Sequence, residues 1–215
     1  MLSLLNMDMD LRDRRRSLGL RQEEVARAAG ISRTAVSLIE TGRLRPSLET
    51  RRALEQALDP FTSPRRLVFA GGALPAAGLL RDLAREGLDY ALTLDVASWL
   101  LTRYQTPATA WAYVRPIGRW EALLRHHGVR RAGVGERANL VLLRASDEVL
   151  AEATPEAGFA LARPRRLLED CARLGGRHGL DAARLFLEFP AAGGPGLRLE
   201  ADSLLKVFEE VVART

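Results

Sequence analysis

The stretch that decides the fold is residues 20–47, LRQEEVARAAGISRTAVSLIETGRLRPS. It contains two short segments with helical periodicity, the first ending at Gly30 and the second starting at Ser32. Glycine at this point is typical of a helix C-cap, and serine is typical of an N-cap. Small or apolar residues stand where the two helices would cross: Ala26, Ile31, Val36 and Ile39. This spacing predicts two helices at about 90–120° across a tight turn, which is a helix-turn-helix.

Two further helices are predicted to flank this motif. The first extends from about Asp8 to Leu18. Its arginines are predicted to be available to solvent: Arg12, Arg15 and Arg16. The last helix opens at Pro46 and Ser47, and its inward residues are predicted to be Leu48, Leu54 and Leu58. Together the four helices predict an all-α domain over residues 1–60, followed by a linker at residues 61–66.

Four short motifs stand in this domain: Leu20–Ala26 (LRQEEVA), Gly30–Ser32 (GIS), Ser37–Gly42 (SLIETG) and Arg45–Ser47 (RPS). With them, residues 8–58 resemble the helix-turn-helix domain of the Xre and lambdoid-repressor family. The resemblance implies a domain that binds double-stranded DNA. Its second motif helix, Arg33 to Glu40, would be the recognition helix and would lie in the major groove.

The recognition helix offers four candidate side chains for reading bases. Arg33 and Thr34 start this helix, and Ser37 and Leu38 follow one turn later on its outward side. The guanidinium of Arg33 can pair bidentately with guanine, and the apolar surface of Leu38 suits a thymine methyl. Glu40 is predicted to be structural, because an acid that faced DNA would repel phosphate.

A second set of residues is predicted to contact the phosphate backbone. The resemblance implies that Gln22 contacts a phosphate and braces the first base-reading residue. Ser32 and Arg43 flank the recognition helix and are the other main candidates, with Arg16 and Arg12 as weaker ones. The charge balance agrees, because residues 1–66 carry 13 arginines and 9 acidic residues, a net charge of +4, whereas the rest of the chain carries +1. Such an excess predicts a polyanionic partner.

After residue 66 short apolar runs alternate with helical segments. The predicted strands are residues 66–70, 90–93, 110–115, 139–144 and 158–161. The predicted helices are residues 74–86, 95–104, 117–126, 164–174, 180–188 and 200–213. This alternation predicts an α/β or α+β domain over residues 67–215, with a small mixed sheet.

The composition of the whole chain bounds its class. Its 215 residues are 47% hydrophobic and 27% charged, which is typical of a globular chain of one or two domains. The longest apolar stretches are too short to span a bilayer, and the first residues have no basic start of the kind that signal peptides have. The single cysteine, Cys171, fits a reducing compartment. We therefore expect a cytoplasmic protein without a membrane partner.

Residues that could support catalysis are sparse in the second domain. Of 32 basic residues 31 are arginines, and Lys206 alone cannot build a P-loop, a Schiff-base enzyme or a Ser-Lys protease. His126 and His127 are adjacent and would diverge by about 100° on a helix, and neither His178 nor Cys171 has a partner at ligand spacing. The carboxylates are predicted to be caps or surface charges: Asp82, Asp95, Asp147 and Asp170. These observations predict a domain without catalysis, metal or cofactor.

Short motifs also occur in the second domain: Tyr90–Thr93 (YALT), Tyr113–Val114, Ala138–Leu140 (ANL), Leu167–Arg177 (LLEDCARLGGR) and Ala182–Ala183. In these motifs the domain resembles the C-terminal half of AbiEi-type antitoxins of type IV toxin–antitoxin systems. The resemblance implies a toxin as partner and repression of the chain's own operon. Those antitoxins usually begin with a winged helix, however, whereas this chain begins with a helix-turn-helix. The resemblance therefore supports repression of its own operon better than it supports antitoxin activity. The alternative is an unrelated α/β domain that dimerises or senses a ligand.

These patterns favour a transcriptional repressor that binds an operator as a homodimer. Two copies would place their recognition helices about 34–36 Å apart on a roughly palindromic site. The alternative is an autoregulating antitoxin that acts through the second domain. A third hypothesis is an enzyme that acts on nucleotides or nucleic acid, with the helix-turn-helix as a targeting module.

Overall fold

Helices precede the first strand in the computed structural model, which describes residues 6–62, 64–179, 181 and 185. These helices are α1 (Asn6–Ser17), α2 (Gln22–Ala29), α3 (Arg33–Glu40) and α4 (Leu48–Ala57). The described residues separate into two compact units. The first unit holds the residues up to Pro64 and the segment Arg144–Glu148, and the second unit holds the others.

Local sequence signals form the turn between α2 and α3. Gly30 caps α2 in the left-handed region at φ 66°, and the next N–H, of Ile31, donates to the carbonyl oxygen of Ala26 at 3.0 Å. The hydroxyl of Ser32 accepts a hydrogen bond from the backbone N–H of Ala35 at 3.0 Å. Both predicted caps are confirmed, because each residue satisfies backbone groups that a helix end leaves without partners.

The core of the first unit joins all four helices. Its buried members are Leu18, Val25, Ala26, Val36, Ile39, Leu54 and Leu58. The structure corrects one predicted core residue, since Leu48 is 66% exposed. Leu48 is the first residue of α4, six positions before Leu54, and six residues of about 100° each turn it away from the face that Leu54 shares with Leu58.

The second unit is built on a seven-stranded mixed sheet with the order β4-β1-β5-β3-β2-β7-β6. The strands are β1 (Arg65–Val68), β2 (Asp89–Thr93), β3 (Ala110–Arg115), β4 (Arg130–Arg131), β5 (Leu140–Arg144), β6 (Thr154–Glu156) and β7 (Phe159–Leu161). The helices after α4 are α5 (Ala73–Ala84), α6 (Leu94–Thr102), α7 (Ile117–His126), α8 (Asp147–Ala151) and α9 (Pro164–Leu174). Strands β2 and β7 pair in parallel, while β2 pairs with β3 and β1 with β5 in antiparallel register.

The predicted alternation of strands and helices is confirmed, and with it a mixed α/β fold. Three short elements were not predicted: β4, α8 and β6. Both strands among them lie at the edges of the sheet and consist of exposed residues, so they carry no apolar alternation that a sequence could reveal. Strand β1 begins at Arg65, inside the stretch predicted as a linker. The predicted helices at 180–188 and 200–213 lie outside the described residues, apart from the helical residues 181 and 185.

The sheet core is apolar where strands are central. Strand β5 is buried from Leu140 to Leu143, and the pattern continues in β2 and β3. Trp120 of α7 is fully buried, and its indole N–H donates to the carbonyl oxygen of Asp89 at 3.1 Å. Across the part of the chain that the structure describes, no helix has both the length and the apolar character needed to cross a membrane.

Two of the four carboxylates predicted as caps or surface charges are buried instead. Asp95 and Asp170 are 4% and 1% exposed. Asp170 accepts hydrogen bonds from the hydroxyls of Thr93 at 2.7 Å and Tyr113 at 3.0 Å, and burial raises its pKa to about 6. Because these partners come from distant parts of the chain, spacing in the sequence could not indicate them.

We expect Gly30→Ala to lower the free energy of unfolding of the first unit by about 1–2 kcal/mol, because the left-handed conformation disfavours a Cβ by that amount. Nothing lies within 4 Å of the Cβ position, so the cost is conformational. Chemical denaturation followed by circular dichroism measures it. Gly78→Ala within α5 is the matched control, since its Cβ also meets open space. This substitution should instead raise the free energy of unfolding by about 0.5–1 kcal/mol. Equal losses in both variants would contradict this reasoning.

Candidate nucleic-acid interface

Helix α3 has a buried face and an outward face. Val36, Ile39 and Glu40 are its buried residues. Four predicted base-reading residues lie on the other side: Arg33 and Thr34 are exposed, and Ser37 and Leu38 are half-buried. Residues four apart are neighbours on a helix surface, so these side chains form two adjacent rows, 33 with 37 and 34 with 38. Such a face can enter the major groove without disturbing the core.

Arg33 forms an ion pair with Glu23 of α2. One guanidinium nitrogen, Nη1, lies 3.2 Å from Oε1 of Glu23, and the two side chains are 66% and 53% exposed. Exposed ion pairs contribute at most about 1 kcal/mol, because water screens them and both side chains lose conformational freedom. Glu23 therefore holds Arg33 beside α2 only weakly, and a guanine edge or a phosphate can replace it.

A network of buried polar groups joins α1, α2 and α3. Nε of Arg15 donates to Oε1 of Glu40 at 2.6 Å, and Nη2 donates to Oε2 at 3.0 Å. The remaining guanidinium nitrogen, Nη1, donates to the carbonyl oxygen of Leu20 at 2.8 Å. Gln22 adds a hydrogen bond from Nε2 to Oε2 of Glu40 at 2.9 Å. These bonds fix the C-terminal end of α3 against the start of α2.

The environment of Glu40 supports its predicted structural role and corrects the prediction for Arg15. Arg15 was expected to be available to solvent, but it is buried because its guanidinium binds Glu40. Burial by itself would raise the pKa of Glu40, yet the hydrogen bonds from Arg15 and Gln22 outweigh burial and hold that pKa below its ordinary value. Glu40 therefore stays ionised and bound near neutral pH.

A cleft of about 520 Å³ opens on this surface, and we call it the arginine cleft. It is lined by Arg12, Arg15, Arg16, Arg21, Gln22, Glu23, Arg33, Ser37, Glu40 and Thr41. Five predicted contact residues line it: Arg12, Arg16, Gln22, Arg33 and Ser37. Four others lie outside its lining: Ser32, Thr34, Leu38 and Arg43. The fold thus brings residues of α1, α2 and α3 to one concave surface.

The charge of the arginine cleft is positive even after its internal pairs are counted. Glu40 neutralises Arg15, and Glu23 neutralises Arg33. Among the described residues, no carboxylate lies within ion-pair distance of Arg12, Arg16 or Arg21. Their guanidinium groups are therefore free to bind phosphate, which arginine can contact with two parallel hydrogen bonds.

Arg21 was not predicted as a contact residue. The sequence indicates only that Arg21 is the residue before α2. The structure agrees, because its backbone N–H donates to Oε2 of Glu24 at 2.8 Å, as in a capping box. The available signal was its position next to Gln22, which the family resemblance had already assigned to phosphate. Its side chain reaches the cleft because the residue before a helix has extended backbone, here φ −82° and ψ 154°.

Arg43 and Ser32 flank α3 at opposite ends. Arg43 is exposed, and its backbone N–H donates to the carbonyl oxygen of Leu38 at 2.8 Å, so the turn after α3 is tied to the helix. Ser32 is exposed as well, and its hydroxyl oxygen already accepts the capping hydrogen bond. Its hydroxyl proton is still available as a donor. Both residues can approach a backbone when α3 enters a groove.

The comparison with protein families agrees with this geometry. Residues 11–62 match the helix-turn-helix family model. The fold, the outward face of α3 and this match define a DNA-binding domain of the helix-turn-helix class. Residues 11–62 match the Xre and lambda-repressor type of that family, as the sequence motifs indicated, and this match supports a DNA-binding regulator of that type.

The second unit lies outside that match. No curated protein matches the chain. The resemblance of the second unit to AbiEi-type antitoxins therefore stays a prediction from its sequence motifs.

Proposed function

We propose that this protein is a transcriptional repressor that binds a roughly palindromic operator as a homodimer. The observation that carries the proposal is the arginine cleft, where three arginines that have no carboxylate partner among the described residues adjoin Arg33 of the recognition helix. Phosphate contacts fix the register of a protein on the duplex, and contacts to base edges supply specificity. One surface of the first unit offers both kinds of group.

In this proposal α3 lies in the major groove. Arg33 leaves Glu23 and pairs with the O6 and N7 acceptors of a guanine, while Leu38 contacts a thymine methyl. Thr34 and Ser37 donate or accept hydrogen bonds at neighbouring bases. The phosphates are bound by a second set: Arg12, Arg16, Arg21, Gln22, Ser32 and Arg43. Glu40 and Arg15 do not contact DNA but hold α3 in place.

Repression follows from where such a dimer would sit. A homodimer covers about two turns of duplex, with half-sites centred one helical turn or about 34–36 Å apart, and a promoter under it is closed to polymerase. We assign dimerisation or sensing to the second unit and no catalysis to it. We also propose that the protein acts in the cytoplasm, because its target is operator DNA.

The experiment that tests the proposal is selection of bound sequences from random duplex DNA with the full chain, followed by a reporter driven by the selected operator. A palindromic motif and lower reporter expression in the presence of the protein are expected. Failure to enrich any motif would reject sequence-specific recognition. Raised expression would reject repression, and a motif with a single half-site would reject binding as a homodimer.

We expect Arg33→Ala to weaken binding to the selected operator by about 1–3 kcal/mol and to relax the preference at one base pair. Binding to a panel of operators with single base changes measures both effects. Arg52→Ala on α4 is the matched control, since this arginine is also exposed but lies outside the arginine cleft. If Arg33→Ala weakened binding to all the operators equally, Arg33 would be a phosphate contact instead.

The antitoxin alternative makes a different demand on the same molecule. It would be supported if a variant that no longer binds DNA still protected cells from a toxin encoded beside this chain. The proposal of a repressor predicts that such a variant has lost the protein's only effect in the cell. Co-expression of the toxin with the variant Arg12→Ala/Arg16→Ala/Arg21→Ala distinguishes the repressor from the antitoxin.

A further inference from the structure

Three side chains that can bind metal converge in the second unit: Asp95, His178 and Asp181. One ligand atom from each lies within 4.8 Å of the other two. Asp95 and Asp181 are 4% and 2% exposed, and His178 is half-buried. The sequence placed no partner near His178, because Asp95 stands far away at the start of α6 and only the fold brings the two together. This corrects the prediction that His178 stands alone.

The central contact joins Asp95 and His178. Oδ1 of Asp95 and Nδ1 of His178 lie 3.0 Å apart. Both atoms are buried, and neither has a well-formed hydrogen bond to any described residue. The second oxygen of Asp95, Oδ2, accepts from the backbone N–H groups of Ala108 and Thr109 at 3.2 and 3.1 Å. These bonds turn Oδ1 towards the centre of the cluster.

Neighbouring groups hold the other two side chains. Nε2 of Gln105 donates to Oδ1 of Asp181 at 3.0 Å and to the carbonyl oxygen of Arg177 at 3.1 Å. The rings of His178 and Trp111 pack in a T-shaped arrangement, with ring centroids 6.5 Å apart. Metal sites in proteins show this second layer of contacts, which orients the ligands before the ion binds.

Among the described residues, the two carboxylates of the cluster have His178 and Arg177 as their basic neighbours. Two carboxylates are buried, and an unpaired buried charge is costly. Burial and the neighbouring Asp95 raise the pKa of Asp181. Arg177 lies nearby, but it is exposed and donates to the carbonyl oxygen of Thr106 at 3.0 Å. A proton on His178 would offset one negative charge, whereas a divalent cation offsets both.

We propose that Asp95, His178 and Asp181 bind one Zn²⁺ ion. Zinc is bound by histidine nitrogen and carboxylate oxygen at about 2.0–2.2 Å, so two ligands of one ion stand about 3.0–3.5 Å apart, and the Asp95–His178 distance fits that spacing. One nitrogen with two oxygens suits zinc better than Mg²⁺, which binds to oxygen ligands. The ion would tie the residues that follow α9 to α6. These three side chains form the whole group among the described residues, so a water molecule would complete a tetrahedral site.

The test is isothermal titration of the full chain with ZnCl₂ after removal of metal by a chelator. We expect one ion per chain, little heat with MgCl₂ and binding weakened at least about 100-fold in His178→Gln and in Asp181→Asn, since loss of an orienting neighbour alone costs 10–100-fold. His126→Gln/His127→Gln is the matched control, because this adjacent pair is exposed, contains the other two histidines of the sequence and can bind zinc adventitiously.

Several results would overturn the proposal. The wild type could show no saturable binding, which would leave the Asp95–His178 contact as a structural one. Binding could also survive in His178→Gln and disappear in the control variant, or MgCl₂ could bind as tightly as ZnCl₂. If neither ligand variant folds, Gln105→Leu keeps all three ligands and should weaken zinc binding about 10-fold or more. Unchanged affinity in Gln105→Leu would then reject the site.

Discussion

The triple variant Arg12→Ala/Arg16→Ala/Arg21→Ala is expected to bind the selected operator about 100- to 1000-fold more weakly than the wild type near 0.1 M salt, since each phosphate contact contributes close to tenfold there. These arginines line the cleft and have no carboxylate partner among the described residues. Their loss removes phosphate contacts without removing a base contact. The sequence preference of the variant should therefore stay that of the wild type.

The salt dependence of binding gives the sharpest measurement. A plot of log K against log salt should lose about 0.9 of its slope for each phosphate contact removed, or roughly 2–3 in total for the triple variant. The matched control is Arg119→Ala/Arg125→Ala/Arg137→Ala, which removes the same charge from exposed positions of the second unit. An equal loss of affinity in both triple variants would mean that net charge, and not the cleft, attracts DNA.

Glu40→Leu should lower the free energy of unfolding of the first unit by about 3–5 kcal/mol, the range for removal of one partner from a buried ion pair. Arg15 would keep its charge in a buried position, and only the carbonyl oxygen of Leu20 would remain as its partner in the network. The Nε2 group of Gln22 would also lose its acceptor. Because the network fixes α3 against α2, DNA binding should fall with stability.

Urea denaturation of Glu40→Leu beside two further variants tests this reasoning. The double variant Arg15→Met/Glu40→Leu should recover most of the lost stability, because apolar replacement of a whole buried pair is often neutral. Glu23→Gln breaks the exposed pair with Arg33 and should cost less than about 1 kcal/mol. If Glu40→Leu cost no more than Glu23→Gln, the buried network would not stabilise the unit.

The same network predicts how stability depends on pH. In the folded protein the pKa of Glu40 lies below its ordinary value of 4.5. The stabilisation from this shift is fully present above the ordinary value and is lost as the pH falls through the lowered pKa. Between pH 7 and pH 3 the wild type should lose more stability than Glu40→Leu does. Parallel pH profiles of the two proteins would contradict the role given to Glu40.

Much of the first unit could be predicted because its signals are local. Gly30 and Ser32 act on backbone groups within four residues of themselves, so their types and spacing are sufficient evidence for the turn. The apolar residues of α2 and α3 repeat at helical period, so Val36 and Ile39 could be assigned to the core. The failure at Leu48 shows the limit of this reasoning, since a helix must be phased correctly before its faces can be assigned.

The sheet was predicted less completely. Strands buried in the centre, such as β5, consist of unbroken apolar runs that a sequence shows directly. The two-residue and three-residue edge strands, β4 and β6, contain no such apolar run, because their side chains face water and their pairing is set by the neighbouring strand. The strand order also depends on which distant segments pair, and no local pattern encodes it.

The sequence by itself determined the caps, the helical periods, most of the apolar core positions of the first unit and the positive N-terminal third, because each depends on residues near one another in the chain. It also determined that Arg33 and Ser37 share the outward face of α3. Only the tertiary structure decided which charges meet. Arg15 meets Glu40 and Asp95 meets His178 across distant segments, and the arginine cleft brings Arg21 together with residues of α1 and α3. The energies of these contacts depend on burial and distance, which exist only once the chain has folded.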